Sequence, residues 1–177
     1  MTRNELEHII QAAGTIANAA DIVVIGGQAI LGQFPNAPPE LLISNAVDLV
    51  LPDDPDHTDV IDGTLGQGSL FQRAFGYSAH VVAEPAAVLP EGWHERLVLL
   101  TGGHARFVRG WCLEVHDLAI AKYLAGREED LDFTRVLVRH SMVGREVLQQ
   151  RLEATQIDPQ IRALAQARIQ ADFDVLP

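Results

Sequence analysis

Several residue types are scarce in this sequence, and each absence excludes a class of protein. The 177 residues contain one cysteine, Cys112, which excludes an intrachain disulfide. No apolar run approaches the roughly 18–20 residues that a membrane-spanning helix needs, and the first residues lack the apolar core of a secretory signal. We therefore expect a cytoplasmic protein, in a reducing compartment and with no membrane partner.

Positive charge is also scarce, and its distribution is uneven. The chain holds 13 basic and 24 acidic residues, a formal net charge of −11. Residues 1–95 contain two bases, Arg3 and Arg73, and 13 acids, whereas residues 96–177 contain 11 of each. This balance excludes a general binder of the phosphate backbone, whose affinity comes from counterion release. A nucleic acid could still meet the second half, which carries most of the arginines and the single lysine, Lys122.

Periodicity and turn signals predict an α+β fold. An amphipathic helix with a capping box from Thr2 and Glu5 precedes a buried central strand at residues 21–25, which the Gly26-Gly27 turn ends. Further strands are predicted at residues 42–51, 77–83, 96–100 and 105–114, the last two forming a hairpin through residues 101–104. Four helices follow, at residues 115–125, 131–140, 143–154 and 159–173.

This order of elements predicts a small mixed β-sheet core with flanking helices over residues 1–114 and a C-terminal helical bundle packed on it over residues 115–177. Two short helices are expected inside the core, one started by Asp54 and one capped by Ser69. The first of them is expected to turn Val60, Ile61 and Leu65 toward the core.

The glycine turn has two interpretations. In the first, Gly27, Ala29 and Gly32 occupy the glycine positions of a dinucleotide-binding fingerprint, with Asp48 as the later acid. Such a domain needs more βα units than the chain after Asp48 offers. In the second, the turn belongs to a nucleotidyltransferase site, where small residues let backbone amides approach a triphosphate and the next strand presents carboxylates to Mg²⁺.

Asp48 is a charged residue in an otherwise apolar strand. Alternation along that strand places it on the same face as Ser44, Ala46 and Val50. In a nucleotidyltransferase it would hold a metal ion, and the structural alternative is a solvated edge residue or a local cap.

Three segments together resemble the polymerase-β-type nucleotidyltransferase superfamily: the Gly26-Gly27-Gln28-Ala29 turn, the Ser44–Leu49 strand and the run from His116 to Phe133. They are similar, more closely, to small bacterial nucleotidyltransferase-like proteins that include toxins of toxin–antitoxin and abortive-infection systems. The resemblance implies transfer of NMP from an NTP, with Mg²⁺ or Mn²⁺, to an RNA hydroxyl (of tRNA or another RNA) or a protein hydroxyl. For a toxin it also implies a cognate antitoxin as partner.

The resemblance assigns roles by position. Asp48 would be the second acid of a D-x-D pair and a metal ligand, Lys122 would reach the triphosphate, and Arg127 and Asp130 match an R-x-x-D motif that supports the site. An ammonium group suits a point contact to phosphate, although Lys122 could equally be an exposed helical lysine. The implied catalytic positions are Asp48, Lys122, Asp130 and position 46, and the implied nucleotide-binding residues are Gly26, Gly27, Gln28, Ser44, Lys122 and Arg127.

The sequence departs from this pattern at position 46. Ala46 stands where the first acid of the pair is expected, and a methyl group cannot bind a metal ion. A natural loss and a deliberate substitution would leave the same residue. No later strand offers an obvious third carboxylate, since His80 and Glu84 are the nearest candidates and His80 could be an ordinary surface or core histidine. We therefore expect impaired transfer, or alternatively an inactive module of this fold that binds a protein partner.

Overall fold

The computed structural model describes residues 1–52, 58–82, 88–100 and 108–174. The chain forms two compact units, the first comprising Met1–Ala86 and Leu97–Leu113 and the second comprising Ala87–Arg96 and Glu114–Pro177. The first unit contains the β-sheet, and the second is helical. The predicted division into residues 1–114 and 115–177 remains a prediction.

The first unit is a five-stranded mixed sheet with helices, which confirms the predicted α+β class. Its strands are β1 (Asp21–Val24), β2 (Ala46–Val50), β3 (Ser78–Val81), β4 (Val98–Leu100) and β5 (Arg109–Cys112). Its helices are α1 (Arg3–Ala17), α2 (Ile30–Gln33), α3 (Thr58–Leu65) and α4 (Leu70–Phe75), with 3₁₀ turns at Gly27–Ala29 and Pro39–Leu41.

The strand order is β3-β2-β1-β5-β4, so that β1 is central as predicted. β1 pairs parallel with β5 and antiparallel with β2, β2 pairs parallel with β3, and β4 pairs antiparallel with β5. A dinucleotide-binding fingerprint lies between two adjacent parallel strands joined by a helix. Because β1 and β2 are antiparallel, the dinucleotide interpretation of the glycine turn is wrong.

One face of the sheet is apolar and packs against the helices. The side chains that alternate onto this face in β1 and β2 are all buried: Ile22, Val24, Val47 and Leu49. Helix α1 lies so close to β5 that a Cβ added at Gly110 would be 2.8 Å from Ile10 Cδ1. The core of the first unit therefore lies between this face and the helices.

The predicted capping signals are found where the sequence places them. The Thr2 side chain accepts a hydrogen bond from the Glu5 N–H, the Glu5 side chain accepts one from the Thr2 N–H at 2.6 Å, and α1 ends at Asn18 in a left-handed conformation. Ser69 caps α4 as predicted. The predicted helix start at Asp54 and the hairpin turn at residues 101–104 lie outside the described residues.

Three details of the sequence prediction are wrong. The helix predicted at residues 131–140 begins three residues earlier, at Glu128. In α3, Ile61 and Leu65 are buried but Val60 is 51% exposed, because it lies on the outer side of the helix. Strand β2 begins at Ala46 rather than at residue 42, because the Ser44 hydroxyl bonds both the N–H and the C=O of Ala46 and occupies the backbone groups that would extend the strand.

In the described residues of the second unit, four helices and a 3₁₀ turn at Trp93–Arg96 are found, and α5 packs against the other three helices. These are α5 (Val115–Ala125), α6 (Glu128–Arg139), α7 (Arg145–Glu153) and α8 (Pro159–Asp174). Gly126, with a φ of 64°, ends α5 as predicted. Within the part of the chain described here, no helix is both long and apolar enough to cross a membrane.

A buried carboxylate links the 3₁₀ turn to the helices of this unit. Asp117 of α5 is fully buried, 2.8 Å from Arg96 Nε and 3.2 Å from Arg151 Nε. Burial raises the pKa of the Asp117 carboxyl, and the two guanidinium groups oppose that rise. The ion pairs thus fix residues 93–96 to the helical unit although they precede β4 in the chain.

The packing of α1 against β5 leads to a stability prediction. In the variant Gly14→Ala the added Cβ would lie 2.4 Å from Val108 Cγ1, so the helix must shift. We expect the free energy of unfolding, measured by chemical denaturation, to fall by about 1–3 kcal/mol. Gly63→Ala is the matched control, since nothing lies within 4 Å of its added Cβ, and it should raise stability by about 0.5–1 kcal/mol. Equal effects of the two substitutions would contradict the packing.

Candidate functional site

The second face of the sheet carries polar side chains, and we call it the polar face; its residues include Asp21, Ala46, Asp48, Ser78, His80 and Arg109. Ala46 and Asp48 share this face through the alternation of β2, and the β2–β3 register places Ser78 beside Ala46 and His80 beside Asp48. The Asp48 and His80 side chains are 48% and 61% exposed. Since β2 lies between β1 and β3, the alternative that Asp48 is an edge residue is wrong.

Gly26 lies directly against the Asp48 carboxylate. A Cβ added at Gly26 would be 2.3 Å from Asp48 Oδ2 and 3.2 Å from Asp48 Cβ. The Ile25 N–H donates to the Asp48 carbonyl oxygen at 3.1 Å, which fixes the two segments side by side. The φ of Gly26 is −81°, so glycine is needed here for space and not for a left-handed conformation. The glycine turn and the carboxylate therefore form a single cluster.

Gln28 ties the glycine turn to the segment before β2. Gly27 opens the 3₁₀ turn, and the Gln28 side chain that follows is buried, with Nε2 donating to the Ser44 carbonyl oxygen at 3.0 Å. Gln28 Oε1 is a buried acceptor without a hydrogen-bond partner among the described residues. In the structure, Gln28 and Ser44 position the start of β2, and their contact with a nucleotide stays a prediction.

The side chains on the polar face do not fit a two-metal site. Asp48 supplies one carboxylate, Ala46 supplies a methyl group, and His80 Nδ1 lies 3.7 Å from Asp48 Oδ1. Across the described residues, no three His, Cys, Asp or Glu side chains are grouped so that they could share a metal ion. Mg²⁺ prefers several oxygen ligands, and two-metal catalysis needs bridging carboxylates. The polar face therefore lacks the acid that the resemblance implies at position 46, and no described side chain replaces it there.

A second cluster lies in the helical unit and contains Lys122, Arg127 and Asp130. Lys122 Nζ is 2.7 Å from Asp130 Oδ1, and Arg127 Nε is 2.7 Å from Asp130 Oδ2. The Lys122 side chain is 17% exposed and lies over the Phe133 ring, 4.8 Å from its centre, so the alternative of an exposed helical lysine is wrong. The R-x-x-D spacing therefore corresponds to a hydrogen-bonded ion pair.

The ionisation of Asp130 is set by its two cationic partners. Burial raises the pKa of this carboxyl, but hydrogen bonds from Arg127 and Lys122 and their positive charges outweigh burial, so that its pKa lies below the usual value. Asp130 is consequently ionised at neutral pH and holds the Lys122 ammonium group in place.

The structure brings the predicted site residues together in two groups. Gly26, Gly27, Gln28, Ser44, Ala46 and Asp48 belong to the first unit, and Lys122, Arg127 and Asp130 belong to the second. Their roles toward nucleotide and metal stay predictions.

Two features of the polar face were not predicted from the sequence. One is the pairing of His80 with Asp48, which depends on the register of two short strands. The other is the cluster at the start of β1, where Arg109 makes two hydrogen bonds to Asp21, at 2.7 and 2.6 Å, and Trp111 Nε1 donates to the same carboxylate at 2.7 Å. The hydrogen bond from Arg109 is the largest influence and lowers the pKa of Asp21. Partners 88 residues apart carry no local signal.

The contact between Gly26 and Asp48 predicts a strong coupling between the two positions. Gly26→Ala should lower the free energy of unfolding by about 1–3 kcal/mol, because its Cβ overlaps the carboxylate. Asp48→Ala, at a half-exposed position, should change it by less than about 0.5 kcal/mol. In the double variant the overlap is relieved, and we expect a coupling energy of about 1 kcal/mol or more in chemical denaturation. Additive effects would show that the two groups do not touch.

The Asp130 ion pairs predict a pH-dependent contribution to stability. Because the folded-state pKa is depressed, the ionised carboxylate stabilises the fold above the unfolded-state pKa of about 3.9, and this contribution is lost as the pH falls through the folded-state value. Asp130→Asn should therefore cost about 2–4 kcal/mol at pH 7, and less on acidification.

Asp132→Asn is the matched control, since its pair with Arg135 is exposed on both sides and should be worth less than about 1 kcal/mol. Thermal or chemical denaturation across pH 2–7 measures both variants. A cost for Asp130→Asn that does not change with pH would contradict the assignment.

Comparison with known proteins identifies a family that the chain matches. Residues 4–168, which include both clusters, match the family model described as a nucleotidyltransferase of unknown function (DUF6036). No curated protein matches the chain, and neither does any solved structure. The match spans most of the chain and confirms the nucleotidyltransferase resemblance. The chain therefore belongs to this nucleotidyltransferase family.

Proposed function

We propose that the polar face binds a nucleoside triphosphate, and that transfer of NMP from it to an RNA or protein hydroxyl is impaired in this chain by Ala46. The observation that carries the proposal is the contact of Gly26 with Asp48, where a Cβ added to the backbone would lie 2.3 Å from Oδ2 of a half-exposed carboxylate. Family membership supplies the class of reaction.

The proposed reaction makes one demand that the polar face only half meets. The acceptor oxygen forms a bond to the α-phosphorus, the bond from that phosphorus to the bridging oxygen breaks, and pyrophosphate leaves. The acceptor hydroxyl loses its proton to water, and a divalent cation, which the two carboxylates expected on β2 would hold, would neutralise the negative charge of the phosphates. Asp48 offers one of the two carboxylates expected on β2, and Ala46 offers none. Transfer therefore requires the second carboxylate of β2, whereas binding of the nucleotide does not.

Charge indicates which acceptors suit the molecule. The first unit, which contains the polar face, holds four basic and 11 acidic residues, so an extended polyanion would be repelled by most of it. Arginines are concentrated in the second half of the chain, which suits contact with an RNA such as tRNA. The acceptor we favour is therefore an RNA that presents one hydroxyl to the polar face.

Restoring an acid at position 46 tests this proposal. Ala46→Asp and Ala46→Glu, given each α-labelled NTP with Mg²⁺ or Mn²⁺, should label an acceptor in total RNA or protein about 100-fold more than the chain with Ala46, because the second carboxylate would complete the ligand set for the divalent cation that neutralises the phosphates. The labelled band also identifies the acceptor class.

Two matched variants serve as controls for the labelling. Ala46→Asn has the size of the aspartate without its charge and should stay as weak as the chain with Ala46, and Asp48→Asn added to Ala46→Asp should abolish the label. Acid-restored variants that neither label an acceptor nor bind NTP in calorimetry would overturn the proposal.

The second candidate is an inactive module of the same fold that binds a protein partner, such as an antitoxin. The exposed Ala46 and the single carboxylate of β2 favour it. It predicts that a partner co-purifies with the chain whether or not nucleotide is present. NTP-dependent labelling by the chain with Ala46, lost in Asp48→Asn, would contradict this candidate.

A further inference from the structure

A pocket opens beside Ala46 in the first unit, where α3 and α4 meet the edge of the sheet at β3. Its volume is about 510 Å³, within the range of small-molecule sites. Its polar lining includes Asn45, Asp62, Gln67, Gln72, Ser78 and His80, and neither lysine nor arginine is found among the described residues that line it. Such a lining is rich in hydrogen-bonding groups and poor in positive charge.

The chemistry of this lining suits a nucleobase better than a phosphate. Gln72 Oε1 accepts a hydrogen bond from the Gly68 N–H at 2.6 Å, so the side chain offers its two amide N–H donors to a ligand. Carboxamides such as Asn45, Gln67 and Gln72 match the paired donors and acceptors of base edges. The carboxylate of Asp62, held by the Val81 N–H at 2.9 Å, is a further hydrogen-bond acceptor for the N–H groups of a base.

The position of the pocket relates it to the proposed nucleotide site. Ala46 and His80 line the pocket and also belong to the polar face, where His80 is in register with Asp48. His80 Nδ1 is 3.7 Å from Asp48 Oδ1, so the pocket begins directly beside the Asp48 carboxylate. A ligand in the pocket would thus place its next chemical group at the carboxylate.

We propose that this pocket binds a nucleoside. The nucleoside belongs either to the incoming NTP or to the end of the RNA acceptor, and the proposal rests on the proposed function in placing the phosphates at Gly26 and Asp48. A neutral base held by Gln72 and its neighbours would then give the enzyme its selectivity among nucleotides.

Titration with free ribonucleosides tests the pocket without requiring catalysis. Adenosine, guanosine, cytidine and uridine are added to the full chain with Ala46, and backbone amide resonances are followed by NMR. We expect at least one nucleoside to shift the resonances of Ser78, Ala79 and His80, and inorganic phosphate to leave them unchanged. The absence of such shifts with all four nucleosides would overturn the proposal.

Gln72→Glu is the discriminating variant. It retains an acceptor for the Gly68 N–H but replaces the amide donors by a charged oxygen, so the affinity for the preferred nucleoside should fall about tenfold. Gln149→Glu makes the same change of charge on the exposed surface of α7 and should bind the nucleoside as the parent chain does. Equal affinity of the two variants would also overturn the proposal.

Competition separates the two sources of the nucleoside. If saturating nucleoside displaces NTP, the pocket holds the base of the NTP, and if both bind together, it holds the end of the acceptor. The outcomes also separate the two proposals. Labelling by Ala46→Asp without nucleoside binding would overturn the pocket alone, whereas nucleoside binding in a chain that never binds NTP would overturn the proposed function and leave the pocket supported.

Discussion

The antiparallel pairing of β1 with β2 is the constraint on which the rest of the site depends. It returns the chain so that the turn ending β1 meets the middle of β2, and the Gly26 backbone then lies where any Cβ would overlap the Asp48 carboxylate. The pairing also rules out a dinucleotide-binding arrangement, in which the two strands joined through the glycine turn are parallel. A single contact between a glycine and a carboxylate thus joins the two segments of the candidate site.

The two faces of the sheet differ in burial and in the kind of side chain that they carry. Ile22, Val24, Val47 and Leu49 bury one face against helices, and this burial supplies the main stabilising free energy of the first unit. The other face carries Asp48 and His80 in contact with solvent, and it can change chemically at small cost to the fold. Ala46 is exposed whereas Val47 beside it is buried, so an acid or an alanine at position 46 is compatible with the same packed core.

Local signals predict much of the fold. Pairs of residues that depend on strand register or helix packing cannot be predicted in this way. The capping box of α1, the central strand β1 and the Gly26-Gly27 turn follow from spacing over a few residues, and alternation alone put Ala46 and Asp48 on one face. The partnership of His80 with Asp48, the Arg109–Asp21 pair and the attachment of Arg96 to Asp117 join residues 21 to 88 positions apart. Such pairs depend on strand register and helix packing, which no short stretch of sequence encodes. Hydrophobicity predicts the start of β2 at residue 42, which is too early. The Ser44 hydroxyl bonds the backbone of Ala46 in place of a neighbouring strand, and hydrophobicity does not reveal this competition.

A crystal structure of the chain with a non-hydrolysable NTP would test whether the polar face of this family member receives the nucleotide. We expect the triphosphate to lie against the backbone of Gly26 and Gly27, with the α-phosphate on the side of Asp48. A triphosphate bound elsewhere on the molecule, with the polar face left to solvent, would contradict this expectation.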